Sequence, residues 1–199
     1  MSEIDEKEII KMMYESRRFE TDLYWKRSNY FWTLLGVMFT AYGVISGVIE
    51  KADTSLSKSG IELHTIRYLV VCVGLVFSVS WYLVNRGSKF TSDRWSLIIK
   101  KLNQSNALLR SLSSTMPDKV NLFYLLKGYP FSSSKINHVI NLFIIFIWVV
   151  ILIYSSSFIY LNFTRREKLF PEIFLSATII TIFSLLFFGK RSKESFITL

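Results

Sequence analysis

Apolar residues are not spread through this chain with the short period of a water-soluble helix or strand. They are gathered into four long blocks separated by polar, charged segments. The first block shows the logic. Over residues 19–49 an acidic, amphipathic lead-in runs without Pro or Gly into Lys26-Arg27. An aromatic collar follows at Tyr30, Phe31 and Trp32, then an uncharged apolar run to Ile49. That order predicts a cytoplasmic helix feeding directly into a membrane span, with bases among headgroups and aromatics at the interface. Crossing the hydrocarbon takes about 20 apolar residues. On this basis spans are expected at 30–49, 68–84, 136–163 and 173–188. The fold class is all-α: a four-span transmembrane helical protein with a cytoplasmic helical layer and both termini inside.

The polar segments also carry pattern. Residues 1–29 predict a cytoplasmic amphipathic helix, with Ile9, Met12, Met13, Phe19 and Leu23 near helical spacing. Glu3 with Lys7 and Asp22 with Lys26 form acid-before-base pairs at i,i+4, each adding about 0.3 kcal/mol. Residues 50–67 read as an external loop, with His64 as a surface histidine. Asn85-Arg86-Gly87-Ser88-Lys89-Phe90 reads as a basic turn. Beyond it, Trp95, Ile98, Leu102, Ser105, Leu109 and Leu112 alternate at three and four, a heptad seam with one polar break. The segment 85–135 is expected to form a cytoplasmic helical segment that packs on the N-terminal helix. Charge agrees, since residues 2–29 hold seven acids, while 85–137 hold nine bases and two acids. Residues 189–199 form a basic cytoplasmic tail.

Inside the spans, small residues are placed in register. Gly36, Thr40, Gly43 and Gly47 lie on one face of span 1, and Gly74 and Ser78 stand one turn apart in span 2. Small residues let helix backbones approach closely, and van der Waals contact then drives association in lipid. These positions, with Trp95, Ile98, Leu102, Leu109 and Leu112 of the seam, are the expected helix-packing and oligomer contacts. Spacing alone leaves open whether each stripe packs within or between subunits.

Charge fixes the expected sidedness. The net charge is +9, and the bases cluster beside the apolar blocks. With both termini inside, eighteen of the 24 Lys and Arg fall on inner segments and six on outer ones, as the positive-inside rule prefers. No apolar signal-peptide core precedes span 1, so it is expected to act as an uncleaved anchor.

Candidate chemistry is sparse. The chain has one cysteine, Cys72, inside an apolar block, which excludes an intrachain disulfide. No GxSxG, P-loop, GxGxxG or HExxH motif is present. No Asp, Glu, Lys or Arg interrupts the spans, which argues against ion-coupled transport by one copy. His64 and His138 fall on opposite sides of the expected membrane. No enzyme activity, cofactor or metal is expected. The bases at Arg86, Lys89, Arg94, Lys100, Lys101 and Arg110 resemble a nucleic-acid patch. They begin at the bilayer edge, however, where anionic headgroups on the cytoplasmic side are the available partner. Nucleic acid is therefore not an expected partner.

Two blocks, FETDLYWKRSNYFWTLLG at residues 19–36 and WYLVNRGSKFTSDRW at 81–95, resemble the RipA-like family of bacterial octameric cytoplasmic-membrane proteins. The resemblance implies a homo-oligomer of the inner membrane and no known reaction. It singles out Trp25, Lys26, Arg27, Tyr30, Phe31 and Trp32, then Asn85, Arg86, Gly87, Ser88 and Lys89. If both sets lie at the inner interface, the Arg-Gly-Ser turn can meet the Trp-Lys-Arg collar and lock span 1 to span 2; a ligand or lipid site is the alternative. The resulting expectation is a non-enzymatic oligomeric scaffold or sensor in a stress, host-adaptation or anti-phage setting, with a cytoplasmic protein partner as a further candidate. The alternative is a homo-oligomeric channel or membrane-permeabilising effector.

Overall fold

A computed structural model describes residues 3–52, 58–105 and 133–188. All are helical apart from one short connection. The helices are α1 (Glu3–Ala52), α2 (Lys58–Ser105), α3 (Ser133–Asn162) and α4 (Leu169–Phe188). Each contains a stretch long and apolar enough to cross a membrane. Leu109 and Leu112 of the expected seam, and the tail 189–199, lie outside the described residues.

Two sequence expectations are corrected by α2. Residues 58–67 are helix rather than loop, and Asn85 to Phe90 continue the helix rather than turn. The physical reason is local. No proline falls between 58 and 105, and the isolated Gly87 weakens a helix by about 1 kcal/mol without ending it. Hydroxyls add bonds to the helix itself, from Thr91 Oγ1 to the Gly87 carbonyl (3.3 Å) and from Ser96 Oγ to the Ser92 carbonyl (3.0 Å).

The chain divides into two compact units, Met1–Arg27 with Asn85–His138, and Ser28–Val84 with Val139–Leu199. In the second unit α2 is the central element. The most apolar window of α2 is 44% buried, against 6% for α1, 22% for α3 and 11% for α4. Its first core cluster joins Leu35 of α1, Val71, Leu75 and Trp81 of α2, and Ile144 and Trp148 of α3. Trp81 is fully buried; the ring of Phe31 stacks 6.4 Å away and that of Trp32 meets it edge-on at 5.1 Å. Trp148, also fully buried, stacks on Phe39 at 4.5 Å and meets Tyr42 edge-on. The second cluster joins Tyr68 and Cys72 to Ile159 and Phe163, with Phe174 and Leu175 of α4 against it. In lipid the packing of such side chains, rather than their removal from water, holds helices together.

The connection from α3 to α4 is closed by short-range hydrogen bonds. Thr164 N–H donates to Glu167 Oε2 (2.7 Å), Lys168 N–H to the Thr164 carbonyl (3.1 Å), and Glu172 N–H to the Lys168 carbonyl (3.0 Å). Pro171 sits in the first turn of α4, where a missing N–H costs nothing. Glu172 there complements the helix dipole.

In the first unit long-range hydrogen bonds join separate helices. Arg27 Nη1 donates to Ser88 Oγ at 3.2 Å, and Asn137 Nδ2 donates to Tyr24 Oη at 2.6 Å. Ile99 of α2 and Asn137 of α3 are buried.

Candidate oligomer and membrane-interface sites

The interface residues separate into contacts and exposed positions. Of the Trp25-Lys26-Arg27 collar, Arg27 reaches Ser88, while Trp25 and Lys26 are exposed and Trp25 makes an edge contact with Tyr24. Trp32 goes elsewhere, onto Trp81. Asn85 is almost wholly buried at 1% exposure; Arg86 and Gly87 are exposed; Ser88 and Lys89 are half-buried. The structure joins Arg27 of the first set to Ser88 of the second, from helix to helix.

The small-residue positions fall into two groups. A Cβ on Gly74 would stand 2.6 Å from Trp148, so the backbone of α2 and the indole of α3 are in closest approach there. Ser78 is fully buried one turn on, its hydroxyl donating to the Gly74 carbonyl at 2.8 Å. On α1 the picture reverses. A Cβ added at Gly36, Gly43 or Gly47 meets nothing within 4 Å. Gly36, Thr40 and Gly43 are exposed, and Val37, Val44 and Val48 are exposed beside them. Thr40 Oγ1 is held by its own helix, donating to the Gly36 carbonyl at 2.9 Å. Within the subunit, one stripe is used and the other is open.

Along the seam, Trp95 and Ile98 are half-buried, and Ile99 is the buried residue. Leu102 continues the helix.

Sequence reasoning missed one arrangement. His64, expected on the surface, is 4% exposed, and Arg67 is 8% exposed. Arg67 Nη2 approaches His64 Nδ1 at 3.1 Å. A guanidinium only donates, so Nδ1 accepts and the imidazole proton sits on Nε2. The ring of Phe158 stacks on His64 at 4.3 Å and that of Phe163 meets it edge-on at 6.2 Å. Among the described residues, His64 Nε2 and Arg67 Nε are buried without a hydrogen-bond partner. Each orphaned donor costs about 1–3 kcal/mol, more for the charged one. The available signal was positional: Arg67 directly precedes the apolar run that begins at Tyr68.

Among the described residues no group of His, Cys, Asp or Glu could hold a metal ion. Large apolar side chains stand exposed along α1, α3 and α4, among them Val44, Phe146, Ile153, Ile180 and Phe183. Exposed apolar surface on that scale is not found on water-soluble monomers. With four apolar helices of spanning length, these features define a multi-pass α-helical membrane protein.

The chain belongs to the octameric membrane protein family, whose profile matches residues 7–159. The match takes in nearly all of α1, the whole of α2 and most of α3, and so reaches beyond the two blocks that carried the resemblance in sequence. No curated protein and no solved structure matches the chain.

Proposed function

We propose that this protein is a non-enzymatic, homo-oligomeric scaffold or sensor of the bacterial inner membrane, close to the RipA-like members of its family, and that copies assemble through the open face of α1. The observation that carries the proposal is the contrast between Gly74, whose added Cβ would meet Trp148 of its own chain, and Gly36, Gly43 and Gly47, where among the described residues it would meet nothing within 4 Å. Backbone exposed by small residues next to Val37, Val44 and Val48 is the surface on which a second membrane helix packs most closely. The family's octameric character supplies the occupant: another copy. Both termini lie on the cytoplasmic side, following the distribution of Lys and Arg. There the layer expected from residues 1–29 and 85–135 would meet anionic headgroups and dock a cytoplasmic partner in a stress, host-adaptation or anti-phage response.

The test is the particle mass of the nanodisc-held protein, wild type against Gly43→Leu/Gly47→Leu. Loss of the large species in the variant, with helix content unchanged, supports assembly through α1. An unchanged mass moves the interface elsewhere.

A second reading is a channel or membrane-permeabilising effector. Thr33, Thr40 and Thr181 are exposed on faces of α1 and α4, and hydroxyl-bearing faces turned to an axis can line a water path. Their hydroxyl bonding favours the scaffold: Thr33 Oγ1 donates to the Asn29 carbonyl (3.0 Å) as Thr40 does to Gly36. Conductance across a planar bilayer at assembled stoichiometry separates the two readings.

A further inference from the structure

We propose that His64 and Arg67 form a binding site for the phosphate oxyanion of an anionic phospholipid. Two unsatisfied donors, His64 Nε2–H and Arg67 Nε–H, come from one turn of α2. Arg67 is more than nine-tenths buried, and its guanidinium donates to the acceptor ring nitrogen of His64. A buried cation is tolerated when an anion and further hydrogen bonds compensate it. The missing complement is thus a negatively charged acceptor. A phosphate oxyanion has that chemistry, and Arg is the side chain best shaped to hold it.

Position selects the source. Arg67 directly precedes the apolar run starting at Tyr68, which puts the donors at the depth of lipid phosphates, whichever leaflet that end faces. Basic pockets among membrane helices hold anionic headgroups by this arrangement. Further bases follow from the neighbouring connection. Lys168 Nζ donates to the Tyr160 carbonyl at 2.7 Å and lines a cleft with Tyr68, Ser156 and Glu172. Arg165 and Arg166 are exposed there. Phe158 and Phe163 pack on the His64 ring. Phe163 belongs to the short non-helical stretch after α3, so of the two it is the ring whose displacement leaves the helices intact.

The experiment uses the full chain, purified in a phosphate-free, uncharged detergent, stripped of lipid and titrated with phosphatidylglycerol under native mass spectrometry. Wild type is expected to retain one phosphatidylglycerol per subunit at energies that strip the rest. Arg67→Gln is expected to weaken that retention by about tenfold or more, the effect of losing a charge-assisted hydrogen bond. Arg67→Lys, which keeps charge without the fork, is expected to fall between. Helix content is checked for each variant; if Arg67→Gln does not fold, Arg67→Lys and His64→Phe decide the matter by the same readout. Inorganic phosphate is titrated in parallel. Equal protection by phosphate alone would overturn the lipid source in favour of a free anion. Equal lipid retention by wild type, Arg67→Gln and Arg67→Lys would overturn the site.

Discussion

Gly74 and Trp148 occupy space that a single added carbon would contest: a Cβ at residue 74 falls 2.6 Å from the indole. The indole cannot retreat, because it is fully buried and stacked on Phe39. Gly74→Ala is therefore expected to destabilise the subunit by about 1–3 kcal/mol, the usual penalty of overpacking. Thermal unfolding in detergent measures it. Pairing the change with Trp148→Phe should recover part of the loss, giving a non-zero coupling energy in the double-mutant cycle.

Gly43 is the contrasting case. Its Cβ would meet nothing, so Gly43→Ala is expected to stabilise the isolated helix by about 0.5–1 kcal/mol through backbone entropy alone. The same substitution is expected to weaken assembly if a neighbouring copy approaches that face. Opposite signs in unfolding and in particle mass would be diagnostic.

Tyr24 accepts a hydrogen bond from Asn137 at 2.6 Å. Tyr24→Phe removes the acceptor while keeping the ring, and is expected to cost about 1 kcal/mol. Ser88→Ala, removing the half-buried acceptor of Arg27, is expected to cost less, since the guanidinium can turn toward water. Hydrogen exchange of residues 20–30 reports both.

Glu167 gives a pH dependence with a defined sign. Its carboxylate accepts the Thr164 backbone N–H, which holds its pKa below the ordinary 4.5. The contribution is complete above the unfolded value and is lost as pH falls through the lower folded value. The Thr164 amide is expected to lose exchange protection on acidification through that range. Glu167→Gln should remove the pH dependence.

Much of the architecture was legible because the bilayer imposes long signals. Four uncharged runs gave four helices. The errors came where a local rule competed with helix continuity. Gly87 and the basic cluster around it looked like a turn, yet one glycine without a proline does not stop a helix that already extends on both sides. His64 looked like a surface residue because its segment is polar; only the placement of Phe158, ninety-four positions later, buries it. The Gly36 and Gly74 stripes were indistinguishable by spacing, since what separates them is a Trp on another helix. The Arg27 contact with Ser88 joins residues that the resemblance had singled out, but it is made between helices.

Cys72 is the chain's single thiol and is buried in a core cluster. To a bulky maleimide the folded protein is nearly blank. One engineered cysteine at Gly36, Gly43 or Val48 would then be the dominant label on each copy. Distances between such spin or fluorescent labels would map how neighbouring α1 helices are arranged around the assembly, with no need to remove a native background first.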